Sequence, residues 1–167
     1  MEASSLEHHT LPDGEKVTIR PVRPSDEPQL RQFFSMINAR DLHRRFFSVR
    51  KPSYASKLLE AARGGAQIIL ANANAKDEIL GIGELHPLVD LSSAEFAVIV
   101  RSDAQHQGIG WVLMNSLLAI ARKKGFEVIS GQVLRENSSM VQMCEELGFH
   151  SRPLEKANHV LEVRLPL

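Results

Sequence analysis

Two glycines, Gly108 and Gly110, follow Gln105 in a short polar loop between an apolar segment and a long amphipathic segment. Residues without side chains let backbone amides come close to an anion, which the positive end of a following helix attracts. The loop is therefore a candidate anion cradle, and the alternative is a plain strand-to-helix turn with glycines for packing. A dinucleotide-binding loop is disfavoured, because Leu113 stands where that motif has its third glycine.

Two acidic residues are candidate general bases. Glu95 lies in the apolar segment AEFAVIV, and Glu84 lies in GIGELHP, the apolar segment before it. A charge inside an apolar strand is costly unless it is paired or serves a function. Glu95 is the first candidate and Glu84 the reserve. The alternative for Glu95 is a strand residue that alternation turns toward solvent.

The single cysteine, Cys144, lies in the helical segment ENSSMVQMCEELGF at 136–149. Its thiol is a weak proton donor, and Glu145, Glu146 and the nearby helix end disfavour the thiolate. Nothing in the sequence marks a base that would activate it as a nucleophile. Cys144 is thus a possible but poor acid, and a small buried residue on the inner face of the helix is an equally good interpretation.

Size and composition exclude several function classes. The chain has 167 residues, 20 basic and 20 acidic side chains and 43% hydrophobic residues, which predicts one globular domain and no nucleic-acid partner. No apolar run approaches the ~20 residues of a membrane helix, so we expect no membrane association. A single cysteine is consistent with a reducing, cytoplasmic compartment, and the spacing of the seven histidines predicts no metal site.

The order of predicted elements indicates an α/β (α+β) domain with a mixed sheet. Residues 1–13 lack periodicity and are predicted to be a flexible tail or linker, with the domain at 14–167. Residues 66–73, 78–89 and 94–100 are predicted to form an antiparallel meander. The other predicted strands are 16–22, 126–134 and 159–167, and the predicted helices lie after Pro24, within 38–64 with a break near 51–53, at 110–124 and at 138–147.

The segment DLHRRFFSVRK at 41–51 is basic and aromatic. It could receive an acidic protein surface or a phosphate group of a ligand. A solvated helix face with Phe46 and Phe47 packed inside is the commoner outcome for such a pattern.

The loop QHQGIG and the segment ENSSMVQMCEELGF together resemble two signatures of the GNAT acyltransferase superfamily. The segments RPVRPSDEPQLRQFF, RRFFSV and AEFAVIVRSD look most like the acetyltransferase domain of bacterial protein lysine acetyltransferases. This resemblance implies the GNAT acyl-CoA N-acyltransferase fold, a mixed, mostly antiparallel twisted sheet flanked by helices. Many such domains are fused to a part resembling an ADP-forming acyl-CoA synthetase, so a longer parent chain with that partner domain is one expectation.

The resemblance also implies acetyl-CoA as cosubstrate, without a metal. The residues it assigns to coenzyme binding lie in the apolar strand, the glycine loop and the start of the last helix, and they are Val98, Ile99, Val100, Gln105, His106, Gln107, Gly108, Ile109, Gly110, Trp111 and Asn137. His106 stands where the superfamily usually has glycine. Asn137 is expected to cap its helix and to hydrogen-bond the pantetheine arm. A bulge at Gly81 and Gly83 is expected to open room between two strands.

The implied function is transfer of an acetyl group from acetyl-CoA to a primary amine, with a protein lysine as the expected acceptor. Glu95 occupies the position of the catalytic base, and Cys144 that of a tyrosine acid in many relatives. Direct attack in a ternary complex is expected. The open alternatives are an acetyltransferase for a small-molecule amine and a non-catalytic acyl-CoA-sensing regulatory domain.

Overall fold

The computed structural model of the chain describes residues 6–46, 54–74 and 76–167. The strands in this part of the chain form one sheet in the order β1-β2-β3-β4-β5-β6-β8-β7. They are β1 (Glu7–Thr10), β2 (Lys16–Pro21), β3 (Gln67–Ala73), β4 (Ile79–Pro87), β5 (Ser93–Val100), β6 (Val128–Leu134), β7 (His150–Leu154) and β8 (Ala157–Pro166). The helices are α1 (Glu27–Ser35), α2 (Ala39–Phe46), α3 (Tyr54–Arg63), α4 (Ile109–Lys123) and α5 (Ser138–Glu146).

The predicted mixed, mostly antiparallel sheet is confirmed. Neighbouring strands pair antiparallel except β5 and β6, which are parallel. Leu113 and Leu117 of α4 pack in one buried cluster with Met143 of α5. Leu30 of α1 and Leu58 of α3 pack in the cluster on the opposite face of the sheet. The helices therefore cover both faces of the sheet.

The expected bulge between β4 and β5 is wrong. These strands pair in unbroken register from Gly81 opposite Val100 to Pro87 opposite Ala94. The glycines instead let α4 approach the sheet, because a Cβ at Gly81 would lie 2.8 Å from the Cδ1 of Leu113. At Gly83 a Cβ would lie 3.1 Å from the Cγ1 of Ile69 on β3 and 3.3 Å from the Cδ1 of Leu117. Packing against α4, and at Gly83 also against Ile69, requires these two residues, and the register shift of β4 lies on its other side, opposite Ala71 and Asn72 of β3.

Two strands lie where the sequence predicted none. β1, inside the predicted tail, pairs with β2 from Glu7 opposite Ile19, and Ser116 of α4 donates to the Glu7 carboxylate at 2.9 Å. β7 pairs with β8 at the other sheet edge and is mostly exposed. Both are polar edge strands held by backbone pairing, so they lack the apolar alternation that sequence reading detects. The break predicted near 51–53, and Phe47, lie outside the described residues.

β5 and β6 are paired over a short stretch only. Parallel pairing joins residues 93–95 to residues 128–130. Immediately beyond it, the ring of Phe96 lies over Gly131, where a Cβ would be 2.5 Å from the ring. The two strands separate from this point, and no strand of the described residues pairs with β5 after Glu95 on that side.

Candidate active site

A cleft of about 640 Å³ occupies the gap between β5 and β6 and extends to the start of α4. Most of the residues expected to bind a coenzyme line it, namely Val98, Ile99, Val100, Gln105, His106, Gly108, Ile109, Gly110, Trp111 and Asn137. Glu95 lines it as well. Gln107 and Cys144 do not, although they lie nearby in sequence.

The loop from β5 to α4 turns sharply into the helix. His106 has φ 64° and Gly108 has φ 94°, both in the left-handed region that favours glycine. Gly108 is the N-cap of α4, and no described side chain caps the first amides of that helix. These amides have no partner within the helix and carry its positive dipole end. Ile109, Gly110 and Trp111, to which these amides belong, line the cleft.

Gln105 ties this loop to neighbouring elements by side-chain hydrogen bonds. Its Nε2 donates to the carbonyl oxygen of Val100 at 3.4 Å and to the Asp41 carboxylate at 2.9 Å. The hydroxyl of Ser102 also donates to Asp41, at 2.6 Å, and accepts from the backbone N–H of Asn38 at 2.9 Å. The loop is thus tied to helix α2 by side-chain hydrogen bonds.

Glu95 is exposed at the end of the cleft where β5 and β6 part. It lies opposite His86 on β4 and opposite Ser130 on β6. No described residue forms an ion pair with it. Glu95 is therefore accessible to a molecule that enters the cleft from the solvent side.

Glu84 is buried, with both carboxylate oxygens occupied. Arg45 donates to one oxygen, and the Nε2 of His86 contacts the other at 3.0 Å. Burial alone would raise the pKa of Glu84, but the hydrogen bond from His86 and the charge of Arg45 outweigh it and hold the pKa below its ordinary value. Glu84 is an engaged anion outside the lining of the cleft, which disfavours it as the base relative to Glu95.

Cys144 is buried in the core beside the cleft, with 1% of its surface exposed. Burial, with a smaller contribution from Glu145, raises the pKa of its thiol to about 12. Met140 and Met143 of the same helix line the cleft instead. The structure thus favours the interpretation of Cys144 as a small core residue.

Asn137 occupies the N-cap position of α5, but the expected side-chain cap is wrong. Its side chain makes no capping hydrogen bond to the helix backbone. Its Oδ1 accepts from the Ser139 hydroxyl at 3.3 Å, and both residues line the cleft. Asn137 has φ −81° and ψ 71°, so its backbone departs from the extended conformation that an N-cap residue typically adopts.

Helix α2 contributes a wall of the cleft that sequence reasoning did not assign. Asp41, Arg44, Arg45 and Phe46 line it. The guanidinium of Arg45 lies 4.5 Å from the Phe46 ring centroid, and that ring stacks on Tyr54 at 4.0 Å. The basic and aromatic pattern of this segment was the only available signal. Further lining residues from separate elements are Phe96, Ala97, Ala104, Gln132, Val133 and Ser139.

The described residues contain no group of three or more His, Cys, Asp or Glu side chains arranged to hold a metal ion. No helix in the described ranges has the length and apolar character needed to cross a membrane.

Comparison with known proteins adds to these observations. The model of the acetyltransferase (GNAT) family matches residues 36–149. The chain is 29% identical over 145 residues to acetyltransferase PA5475 of Pseudomonas aeruginosa, a match that covers 84% of this chain and 78% of that protein. It is 30% identical over 148 residues to acetyltransferase Pat of Mycolicibacterium smegmatis, covering 81% of this chain and 41% of Pat.

Among solved structures, the GNAT domain of S. lividans PAT has a TM-score of 0.86 with this chain at 18% identity, and 97% of each chain is covered. This chain thus shares the fold of that domain and spans less than half the length of Pat.

Proposed function

The chain belongs to the acetyltransferase (GNAT) family and is an acetyl-CoA-dependent N-acetyltransferase, and we propose that its acceptor is the side-chain amine of a protein lysine, with Glu95 as the general base. The observation that carries the proposal is the position of Glu95, exposed where the cleft opens to solvent.

The start of α4 is suited to the diphosphate of acetyl-CoA. The uncapped amides from Ile109 to Trp111 and the positive helix end attract a doubly charged anion without requiring lysines. The free edge of β5 from Val98 to Val100 offers backbone groups to the pantetheine arm, which would lie as an additional strand. This arrangement directs the thioester toward the Glu95 end of the cleft.

The acceptor must lose a proton before it reacts. A lysine amine with a pKa of about 10.4 is neutral in roughly one molecule per thousand at pH 7. Glu95 takes that proton, and the amine nitrogen then attacks the thioester carbonyl carbon. Backbone N–H groups of β5 stabilise the oxyanion that forms. Attack produces a tetrahedral intermediate, and its collapse breaks the C–S bond. The CoA thiolate then accepts a proton released from the amine nitrogen.

Direct attack is favoured over an acyl-cysteine intermediate. Cys144 is buried, does not line the cleft, and has a thiol pKa of about 12. A thiol with this pKa is almost entirely protonated near neutral pH and is a poor nucleophile. The same properties disfavour it as an acid for the departing thiolate.

The surroundings of Glu95 support a protein acceptor over a small polyamine. A small cationic substrate is usually held in an enclosed pocket with several free carboxylates. Here Glu84, the neighbouring carboxylate, is already paired with Arg45 and His86. The hairpin that follows β4 is open to solvent and carries the exposed apolar residues Val89 and Leu91. Such a surface can lie against a folded partner.

Mass spectrometry of candidate proteins after incubation with acetyl-CoA tests the proposal. We expect acetyl-lysine in reactions with the wild-type chain and none above background with Glu95→Gln. A parallel panel of polyamines, amino acids and aminoglycosides, followed by CoA thiol release, tests small acceptors. Acetylation of a small amine without any protein lysine would contradict the proposed acceptor, and tight acetyl-CoA binding without release to any amine would indicate a sensor.

A further inference from the structure

Helix α2 joins the coenzyme loop to the strand beside Glu95. Asp41 in its first turn accepts hydrogen bonds from Ser102 at 2.6 Å and from Gln105 at 2.9 Å. Arg45, four residues later, donates to the buried carboxylate of Glu84 on β4. Residues four apart lie on the same side of a helix, one turn from each other. The two ends of one rigid helix turn are thus bonded to different parts of the site.

At the loop that precedes α4, the connection is made by hydrogen bonds to Asp41. Asp41 is buried, with 6% of its surface exposed, and both of its donors come from the loop that precedes α4. Gln105 contacts the carbonyl oxygen of Val100 with the same amide group. A change in the position of Asp41 therefore moves the groups that shape the anion site and the end of β5.

At the other end of the connection, near Glu95, Arg45 is also held by specific contacts. Arg45 is held by the Glu84 carboxylate and lies over the Phe46 ring at 4.5 Å. Glu84 contacts His86 at 3.0 Å, and His86 lies opposite Glu95 in the strand register. Glu84 and Glu95 lie on the sheet face that α2 covers, since Ile82 and Ile99 of the same strands are buried there. The position of Arg45 thus determines how Glu84 and His86 are arranged beside the base.

We propose that Asp41 and Arg45 are positioning residues that couple acetyl-CoA binding to the arrangement of Glu84 and His86 beside Glu95. The bound diphosphate contacts the loop, Ser102 and Gln105 of the loop hold Asp41, and α2 keeps Arg45 on Glu84. Linkage requires the reverse as well, so loss of the Arg45–Glu84 contact weakens acetyl-CoA binding although Glu84 does not line the cleft. This inference rests on the proposed function for its kinetic part only.

The test compares Asp41→Ala, Asp41→Asn and Glu84→Gln, with Arg40→Gln as a control at an exposed position of α2. Calorimetry gives the acetyl-CoA Kd, and steady-state assays at saturating acetyl-CoA give kcat. For Asp41→Ala we expect Kd to rise about tenfold and kcat to fall about tenfold, since two hydrogen bonds to a carboxylate are lost. Asp41→Asn should restore both to within about threefold, because the amide oxygen can still accept from Ser102 and Gln105.

Glu84→Gln should raise the acetyl-CoA Kd by about threefold, and the double variant Asp41→Ala/Glu84→Gln should show less than the product of the two effects. An unchanged Kd in Glu84→Gln, or an unchanged kcat in Asp41→Ala, would overturn the coupling. If Glu84→Gln loses its folded circular dichroism spectrum, Glu84→Asp replaces it, since aspartate keeps the charge but is one methylene too short to hold the contact with Arg45.

The proposal and the proposed function fail in different ways. A wild-type chain that binds acetyl-CoA but acetylates no amine contradicts the proposed function, and the Kd values of the variants still decide the coupling. An active wild-type chain whose variants bind and turn over independently contradicts the coupling alone.

Discussion

The ring of Phe96 covers Gly131 so closely that a Cβ at residue 131 would lie 2.5 Å from the ring Cε1. The same ring packs edge-on against Phe149, with centroids 5.5 Å apart, so it cannot move away without disturbing the core. Glu95 and Ser130 form the last pair of β5 and β6, and Phe96 and Gly131 each follow that pair by one residue. Phe96 therefore acts as a wedge at the point where the cleft begins.

Gly131→Ala should destabilise the protein by about 1–3 kcal/mol, because the added methyl group overpacks a well-filled core position. Urea denaturation followed by circular dichroism measures this difference. Gly64→Ala is the matched control, since a Cβ there meets its nearest neighbours at an ordinary 3.5 Å. Equal stability of the two variants would contradict the wedge.

Glu95→Gln should lower turnover by about 100-fold or more while the acetyl-CoA Kd changes less than about twofold. Glutamine keeps the shape of the side chain but cannot accept the proton of the amine. Stopped-time assays of CoA release and calorimetry give the two values. The control is Glu127→Gln, an exposed residue between α4 and β6. Parallel losses in turnover and affinity would remove Glu95 as the base.

Cys144→Ala should leave kcat within about twofold of wild type, because the thiol is buried and does not line the cleft. Native protein should also resist alkylation near neutral pH, since the thiolate is the reactive form. Mass spectrometry after iodoacetamide treatment, with and without denaturant, checks the second point. A tenfold fall in kcat in the stable variant would assign the thiol a role in the reaction.

The stability of the wild-type protein should also depend on pH through Cys144. Burial raises the pKa of this thiol from 9.0 to about 12 in the folded state. When the pH lies above the ordinary pKa, the unfolded chain loses the thiol proton while the folded chain keeps it. The unfolded state is therefore favoured as the pH rises toward the folded pKa. Relative to Cys144→Ala, wild type should lose about 1.4 kcal/mol per pH unit in this interval. Urea titrations of both proteins at pH 9, 10 and 11 measure this difference in slope, and an equal dependence of their stability on pH would contradict the prediction.

His106→Gly should be more stable than His106→Ala by about 0.5–1 kcal/mol. His106 has φ 64°, a conformation that costs residues with a Cβ more than it costs glycine. Greater freedom of glycine in the unfolded chain offsets part of this gain. The same pair of substitutions at Gln107, which has no positive φ, should show the opposite order. Thermal unfolding of all four variants tests whether glycine is more stable than alanine at residue 106 and less stable at residue 107.

Several features of the fold and site were predictable because their signals are local. The start of α4 follows a glycine pattern, and Gly125 and Gly148 adopt the left-handed conformation expected after helix ends. The meander of β3, β4 and β5 has a continuous apolar pattern. Gln105 was assigned to the coenzyme loop, yet its hydrogen-bond partner Asp41 was not identified, because Asp41 lies 64 residues earlier.

The sequence by itself determined the order of elements, the family resemblance and the strand–loop–helix unit that faces the cleft. Apolar periodicity, glycines and helix ends act over a few residues, so they can be read along the chain. Only the tertiary structure decided that Glu84 is bound by Arg45, 39 residues away, and that Cys144 is enclosed in the core. It also decided that α2 forms a wall of the cleft and that the gap opens between β5 and β6. These features arise from packing between distant segments, which no local pattern of residue types specifies.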